Sequence, residues 1–471
     1  MGIDQSLAHD LNLAGGLAQI RQQFKVPGAF AADVLDDASR AATRALDGHV
    51  DRTDWPFVTL DPASSTDLDQ AFHLVQVGSD LLLHYAIADV AWFVDDDGPM
   101  DREAWIRGTT QYLPDGRSSL YPPTLSEAAA SLLPSGPRPA VVFHVRVDGQ
   151  GNARLDGVER SIIQSRAKLA YDTVRADQLP TQFEELQRRI AAAEIARGAS
   201  RIDAQEQSVE AVSKSGPGSG SGSGFRLVFR PRLASEDANA AMSLATNLAV
   251  ADALYAAKTG LFRVMPEPDD RAVKRLRHTA AAFGLQWDPS VPLAEFERQL
   301  NGADQRQAAF MMAVRRAGGG ARYVPFDPAV RPWHAAMAAT YAHATAPLRR
   351  LADRYVVMAA LELAQGRTIN DRFSAAFQAL PAVMERADAT SSQIERAVVD
   401  LAEASLLADQ VGNSFQAVVT DVDDRGARIQ LRDIPVVTRV AAHSVAPGDE
   451  LTVKLADVQV DRRTANFVRV A

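Results

Sequence analysis

The apolar residues of this chain change their spacing three times, and that change limits what it can fold into. Between 55 and 165 they come in short runs, AFHLVQV, LLLHYAIADVAWFV and PAVVFHVRVDGQGNARLDGV, which read as strands, the last as a hairpin around Asp148-Gly149. Residues 181–210 and 236–410 turn to an Ala-rich, largely helical spacing. The opening segments LAGGLAQIRQQF and FAADVLDDASRAATRAL share it, parted by Val26-Pro27-Gly28. From about 411 the alternation returns. Ala427, Ile429 and Leu431 interleave with Arg428, Gln430 and Arg432 after a turn at Asp424-Arg425-Gly426. ELTVKLADVQVDRRTANFVRV repeats the pattern around Asp461-Arg462-Arg463. Short alternating strands within 411–471 predict a small barrel, with the OB-fold as the natural candidate.

At 471 residues the chain is too long for one ordinary core. An α+β protein is expected, with a small helical region over 1–50, for which a helix-turn-helix-like pair is one form. A mixed sheet surrounded by helices would follow over 51–410, then the barrel over 411–471. SKSGPGSGSGSG, 213–224, is predicted to be a flexible linker inside the middle unit. With no Cys there are no disulfides, no thiolate nucleophile and no zinc–thiolate site. The net charge of −9 argues against bulk attraction to nucleic acid or an anionic membrane, while leaving room for a local basic channel. Residues 1–20 lack a basic start followed by an apolar run, and no window reaches the roughly eighteen apolar residues of a membrane span. A cytoplasmic enzyme is the expectation.

The stretch TLDPASSTDLDQAFHL, 59–74, sets Asp61, Asp67 and Asp69 close together beside apolar, strand-like flanks. In an extended chain residues two apart face the same way, so Asp67 and Asp69 should project to one side. Like charges this close raise at least one pKa unless a cation intervenes. A hard, oxygen-only ligand set suits Mg²⁺ or Mn²⁺, and phosphoryl transfer is the matching chemistry. A solvated acidic turn is the plainer alternative. A phosphatase of the haloacid-dehalogenase type is set aside, because Ser64-Ser65-Thr66 stands where its apolar strand should be.

HATAPLRRLADRYV reads as a helix start, with Thr345 as cap and Pro347 in the first turn. Leu348, Leu351, Ala352 and Tyr355 would form its apolar face. Arg349 and Arg350 then oppose the helix dipole, which is tolerable if an anion sits at the helix start. A phosphate clamp and ordinary surface arginines are both consistent with that placement.

Taken together, DPASSTDLDQAF, HYAIADVAWFV, DREAWIRGTTQYLPDGRSSLYPPTLSE, LFRVMPEP and YAHATAPLRRLADRYV resemble, in order, the motifs of the ribonuclease II (RNB) exoribonuclease family. The resemblance implies a central catalytic RNB domain and a hydrolytic 3′→5′ exoribonuclease. Such an enzyme would degrade single-stranded RNA to nucleoside 5′-monophosphates with Mg²⁺, or Mn²⁺, as cofactor. It assigns Asp61, Asp67, Asp69 and the residue at Gln70 to the metal, and Asp67, Asp69 and Arg349 to catalysis. Tyr112, Tyr171, Arg349, Arg350 and Glu395 fall to RNA binding, and a monomer is expected.

The sequence departs from the family pattern at two places. Gln70 replaces the fourth aspartate of DxxxxxDxDDA, so one cation should bind more weakly and the Mg²⁺ requirement should rise. Ala240 and Ala241 stand where the family's VEExM glutamates belong, with Glu236 one turn earlier. These departures motivate the alternative of a catalytically impaired RNA-binding or regulatory protein that keeps the fold. Phe225 and Phe229 are candidates for a further stacking face. The 411–471 segment resembles the RNA-binding OB domain first seen in a ribosomal protein. There Phe415, Phe467 and Arg425, Arg428, Arg462 and Arg463 are candidate RNA contacts.

Overall fold

A computed structural model of the protein describes residues 11–199, 206–212, 224–230, 233–301, 304–423, 425–442 and 444–470. Its middle is a five-stranded mixed sheet. Across it lie Val50–Asp51, Ala153–Ile163, Arg138–Val147, Asp80–Ala88 and Gln70–Val77. All neighbours are antiparallel except Val50–Asp51, which runs parallel to Ala153–Ile163. Asp80–Ala88 and Arg138–Val147 are buried along most of their length, which is why they read as nearly continuous apolar runs. Helices Ala234–Ala256 and Leu351–Ala364 cover the sheet. Tyr85, Phe143, Met242, Leu254 and Val356 meet in one core between them. The expected α+β architecture holds.

Local reading fails where a distant partner decides. LLLHYAIADVAWFV is not one strand: after Ala88 the Asp89 carboxylate accepts from the Trp92 N–H and starts a single helical turn, Val90–Phe93. Helical spacing over 181–210 holds only for Phe183–Arg197. Glu206–Val212 is a strand, paired antiparallel with Gly224–Arg230. The glycine-rich segment between them lies outside the described residues, apart from Gly224, which opens the second strand.

The two N-terminal helices pack into different clusters. Ala14–Gln23 sets Leu17 and Ile20 against Ile394 and Leu401 of the long helix Asp371–Leu407. Ala32–Ala41 buries Val34 and Ala38 in the main core. At the other end, Ser414–Asp423, Gly426–Leu431, Val437–Val440, Glu450–Gln459 and Thr464–Arg469 form a five-stranded antiparallel sheet. Its two outer strands lie against each other and nearly close a barrel. Ala427, Ile429 and Leu431 point inward as their alternation predicts. A lobe of three helices, Asp270–Ala282, Leu293–Arg298 and Gln305–Ala317, has its own aromatic cluster of Phe283, Phe296 and Phe310. Among the described residues no helix is long and apolar enough to cross a membrane.

Candidate active site

The carboxylate stretch is built from the loop that precedes the sheet. Strand Thr59–Asp61 pairs in parallel with Lys168–Ala170, placing Asp61 at its end and next to Tyr171, whose N–H donates to the Asp61 carbonyl. The Lys168 ammonium donates to the carbonyl oxygens of Ala63 and Ser65 and holds the intervening turn. Leu68 is fully buried, and its N–H donates to the Ser131 hydroxyl at 2.9 Å. With Leu68 driven into the core, Asp67 and Asp69 face the other way, as their spacing predicts. Both line a cavity of about 1020 Å³, together with Asp61, Gln70, Tyr112 and Arg349.

The arginine segment closes the same cavity, but not as a helix start at Thr345. The helix begins at Leu351, and Arg350 occupies its N-cap position with an extended backbone. Residues 345–350 form a turn instead. The Asp353 carboxylate reaches back to accept from the N–H groups of Thr345 and Ala346, at 3.0 and 2.8 Å. Those N–H groups are therefore satisfied internally rather than offered to phosphate. Arg350 is likewise committed: its guanidinium makes two hydrogen bonds to Asp353, at 3.0 and 2.9 Å. It also borders the cavity, where it was expected to contact RNA. Arg349 differs. Half exposed, it carries its Nε 3.4 Å from Asp69 Oδ2.

Burial dominates the electrostatics. It pushes Asp61 up to about 7 and Asp69 up to about 8, against the attraction of Arg349, while Asp67 adds like-charge repulsion to both. Asp61 Oδ2 is buried without a hydrogen-bond partner, and Asp69 Oδ1 accepts from the Leu348 N–H at 2.7 Å. Asp67 is held by the Tyr112 hydroxyl at 3.1 Å and by the Arg117 guanidinium, which also pairs with Glu127. An unpartnered carboxylate oxygen amid other oxygen donors fits a hard divalent cation in kind. Among the described residues no group of three acidic or histidine side chains is placed to hold a metal ion, and Arg117 and Arg349 lie against Asp67 and Asp69.

Gln70 is held at both ends of its amide. Its amide N–H donates to the Thr345 carbonyl at 2.7 Å, and its amide oxygen accepts from the Tyr85 hydroxyl at 2.6 Å. That oxygen faces a tyrosine, not an open coordination position. Tyr171 lies at the cavity wall with its hydroxyl accepting from Asn239. Tyr112 is half exposed there, on the short strand Gln111–Leu113. Glu395 is not brought in: it lies exposed on the long helix, outside the cavity lining. Phe225 is buried beside Leu11 and Leu227 and offers no stacking face; Phe229, four residues on along the strand, is only partly buried and outside the cavity lining. Phe467 is buried in the barrel with its ring 5.9 Å from that of Phe415, so this pair serves the barrel's packing. Arg463 donates to Gln23 of the first helix, whereas Arg425, Arg428 and Arg462 are exposed.

Sequence reasoning missed Arg117 and the polar edge of helix Ala234–Ala256. Arg117 was detectable as the hairpin partner of Tyr112, since Tyr112 and Arg117 pair directly across two short strands. The helix carries Ser235, Asn239, Ser243 and Asn247 at four-residue spacing, which puts them on one face. Asn239, Ser243 and Asn247 line the cavity. Ala240 and Ala241 leave no carboxylate there, while Glu236 lines the cavity and pairs with Arg230.

Comparison with known proteins gives the same ordered picture. The RNB domain model matches residues 49–364, more than half of the chain, and the model of the RNase II-type exonuclease C-terminal S1 domain matches residues 413–470. Ribonuclease R of Escherichia coli is 26% identical over 419 residues, covering 82% of this chain and 50% of that protein. The chain thus spans about half the length of the curated relatives it matches. Among solved structures, Mycoplasma genitalium RNase R in complex with ribose-methylated single-stranded RNA superposes with a TM-score of 0.82 at 20% identity. That match covers 97% of this chain and 78% of the other. Yeast Ssd1, a pseudonuclease, superposes with a TM-score of 0.66 at 16% identity, covering 88% of this chain and 53% of the other.

Proposed function

The chain belongs to the RNB-domain family, and from that premise we propose that it is a hydrolytic 3′→5′ exoribonuclease acting on single-stranded RNA. The observation that carries this reading is the meeting, in one cavity, of Asp61, Asp67 and Asp69 with Arg349 and the exposed face of Tyr112. These groups come from segments some 280 positions apart, between Asp69 and Arg349. The RNA 3′ end would enter the cavity, and the Tyr112 ring would stack on a base without reading its identity. The Arg349 guanidinium would bind the scissile phosphate and neutralise charge that builds on its oxygens. Asp61, Asp67 and Asp69 would hold a divalent cation, Mg²⁺ or Mn²⁺, which when bound supplies Lewis-acid activation of water. Asp67 would leave Arg117 to do so, and Arg117 would then rest on Glu127. The barrel at 414–469 would bind upstream RNA, and nucleoside 5′-monophosphates would leave one at a time.

A second reading has its own support. Gln70 removes one carboxylate, Arg117 already neutralises Asp67, and a pseudonuclease shares the fold. On that reading the protein binds RNA without cutting it. Incubation with a 3′-tailed single-stranded RNA and Mg²⁺ or Mn²⁺, beside an Asp69→Asn variant, separates the two. Release of mononucleotides that falls by about 10²–10³-fold in the variant is the expected result. Retention of intact RNA by both proteins would favour the binder.

A further inference from the structure

Two neighbouring residues on the carboxylate segment each grip the turn that carries Arg349. Asp69 accepts from the Leu348 N–H at 2.7 Å, and Gln70 donates to the Thr345 carbonyl at 2.7 Å. A backbone carbonyl cannot donate, so the amide NH₂ of Gln70 must face Thr345, and its oxygen must face Tyr85. The Tyr85 hydroxyl, at 2.6 Å from that oxygen, is itself 2.8 Å from the Ser243 hydroxyl on the covering helix. Tyr85 is fully buried in the middle of the sheet and cannot move without disturbing the core. On its far side the turn is also fixed: the Arg349 carbonyl accepts from the Thr110 N–H at 3.0 Å and the Thr109 hydroxyl at 2.6 Å, two residues before Tyr112. The carboxylate segment at Asp69 and Gln70 and the segment that leads into Tyr112 therefore both meet the turn at residues 345–349.

We propose that Gln70, braced by Tyr85 and Ser243, is a positioning residue that fixes the Arg349 turn against Asp69, and that it is not a weakened metal ligand. This rests on the exonuclease reading above. A ligand at this place needs only an oxygen. The tie to Thr345 needs an N–H donor at the end of a two-methylene stem, which Gln supplies and neither Asp nor Glu does. A carboxylate at position 70 would set negative charge against the Thr345 carbonyl oxygen and push the turn away. Restoring an acidic residue would then damage the site instead of repairing it, because a displacement of about 1 Å at a phosphate-binding guanidinium suffices to cost roughly 10²-fold in rate.

The test is a set of variants, Gln70→Asp, Gln70→Glu and Tyr85→Phe, each alone and combined with Arg349→Ala. Turnover and KM are measured on 3′-tailed RNA, Mn²⁺ affinity by electron paramagnetic resonance, and folding by the thermal midpoint. Gln70→Glu is expected to lower kcat about 10- to 100-fold, with Mn²⁺ affinity no tighter than in the parent. In the Arg349→Ala background its effect should shrink to within about twofold, because both residues act through one contact. Tyr85→Phe removes the brace without placing charge in the site, and should show the same dependence on Arg349 with a smaller loss. Should a Gln70 variant fail to fold, the Tyr85→Phe cycle decides alone. Tighter Mn²⁺ binding with higher activity in Gln70→Asp, or losses that multiply independently of Arg349, would overturn the proposal. A parent that binds RNA but releases no mononucleotide would instead overturn the exonuclease reading. The same cycles, read as RNA dissociation constants, would then still show whether Gln70 acts through Arg349.

Discussion

Three histidines stand directly opposite one another on adjacent strands: His73 faces His84, and His84 faces His144. Trp55 covers them, its ring 4.4 Å from that of His84. The Nδ1 atoms of His84 and His144 are 2.8 Å apart, so one must donate and the other accept, and protonating the acceptor breaks the pair. Burial, followed by the neighbouring His144, His73 and Arg52 and opposed by Glu159, drives His84 down to about 3. Its native form is neutral, so the unfolded chain binds the extra proton and stability falls as the pH drops from about 6.5 towards 3. Between pH 6.5 and 5 His84 should account for up to about 2 kcal/mol, read as a shift in urea midpoint. In His84→Phe that slope should flatten. An unchanged pH dependence in the variant would show that these histidines do not govern acid stability.

At the scale of the element, the start of helix Leu351–Ala364 decides where Arg349 lies. Asp353 is fully buried and serves three groups together, the Thr345 N–H, the Ala346 N–H and the Arg350 guanidinium. Removing one partner of such a buried pair leaves an uncompensated charge, which typically costs about 3–5 kcal/mol. Asp353→Ala should therefore lower stability by about that amount in a denaturant titration, and weaken RNA binding by loosening the turn. Asp353→Asn, which can still accept a hydrogen bond but carries no charge, should fall between the two. The sequence showed that this segment matters without showing how. Thr345 and Pro347 gave the signature of a helix start, yet the carboxylate eight positions beyond Thr345 captures the N–H groups and delays the helix to Leu351.

For the whole molecule, one contact that joins its parts is Glu403 on the long helix. Its Oε1 accepts from Gln207 of the 206–230 hairpin at 2.6 Å and from the Val437 N–H of the barrel at 2.8 Å. Gln207 also donates to the Pro435 carbonyl of the barrel at 2.8 Å. Burial raises Glu403 to about 7, against those two hydrogen bonds. A raised carboxyl contributes stability that is complete below its ordinary range near 4.5 and is lost as the pH rises through about 7. Barrel docking should loosen towards alkaline pH, opposite in sign to the His84 effect. Limited proteolysis of the 408–413 connector at pH 6 and pH 8 should show faster cleavage at pH 8, and Glu403→Gln should remove the difference. Equal cleavage at both pH values would count against it.

The sequence by itself determined the strand and helix periods, the inward set Ala427, Ile429 and Leu431, the shared facing of Asp67 and Asp69, and the ordered motifs that identify the family. These follow from spacing along a few residues of chain, where side-chain direction is fixed by backbone geometry. The tertiary structure alone decided which polar atoms were already taken. Arg350 by Asp353, Asp67 by Arg117 and the Gln70 oxygen by Tyr85 are pairings across the fold or across a turn that local pattern did not foresee. Glu395 was singled out by its region and Phe225 by its residue type, and neither lines the cavity. Burial makes an unpaired polar group costly, so each buried donor and acceptor seeks the nearest complement in space, and nearness in space is what a linear chain does not record.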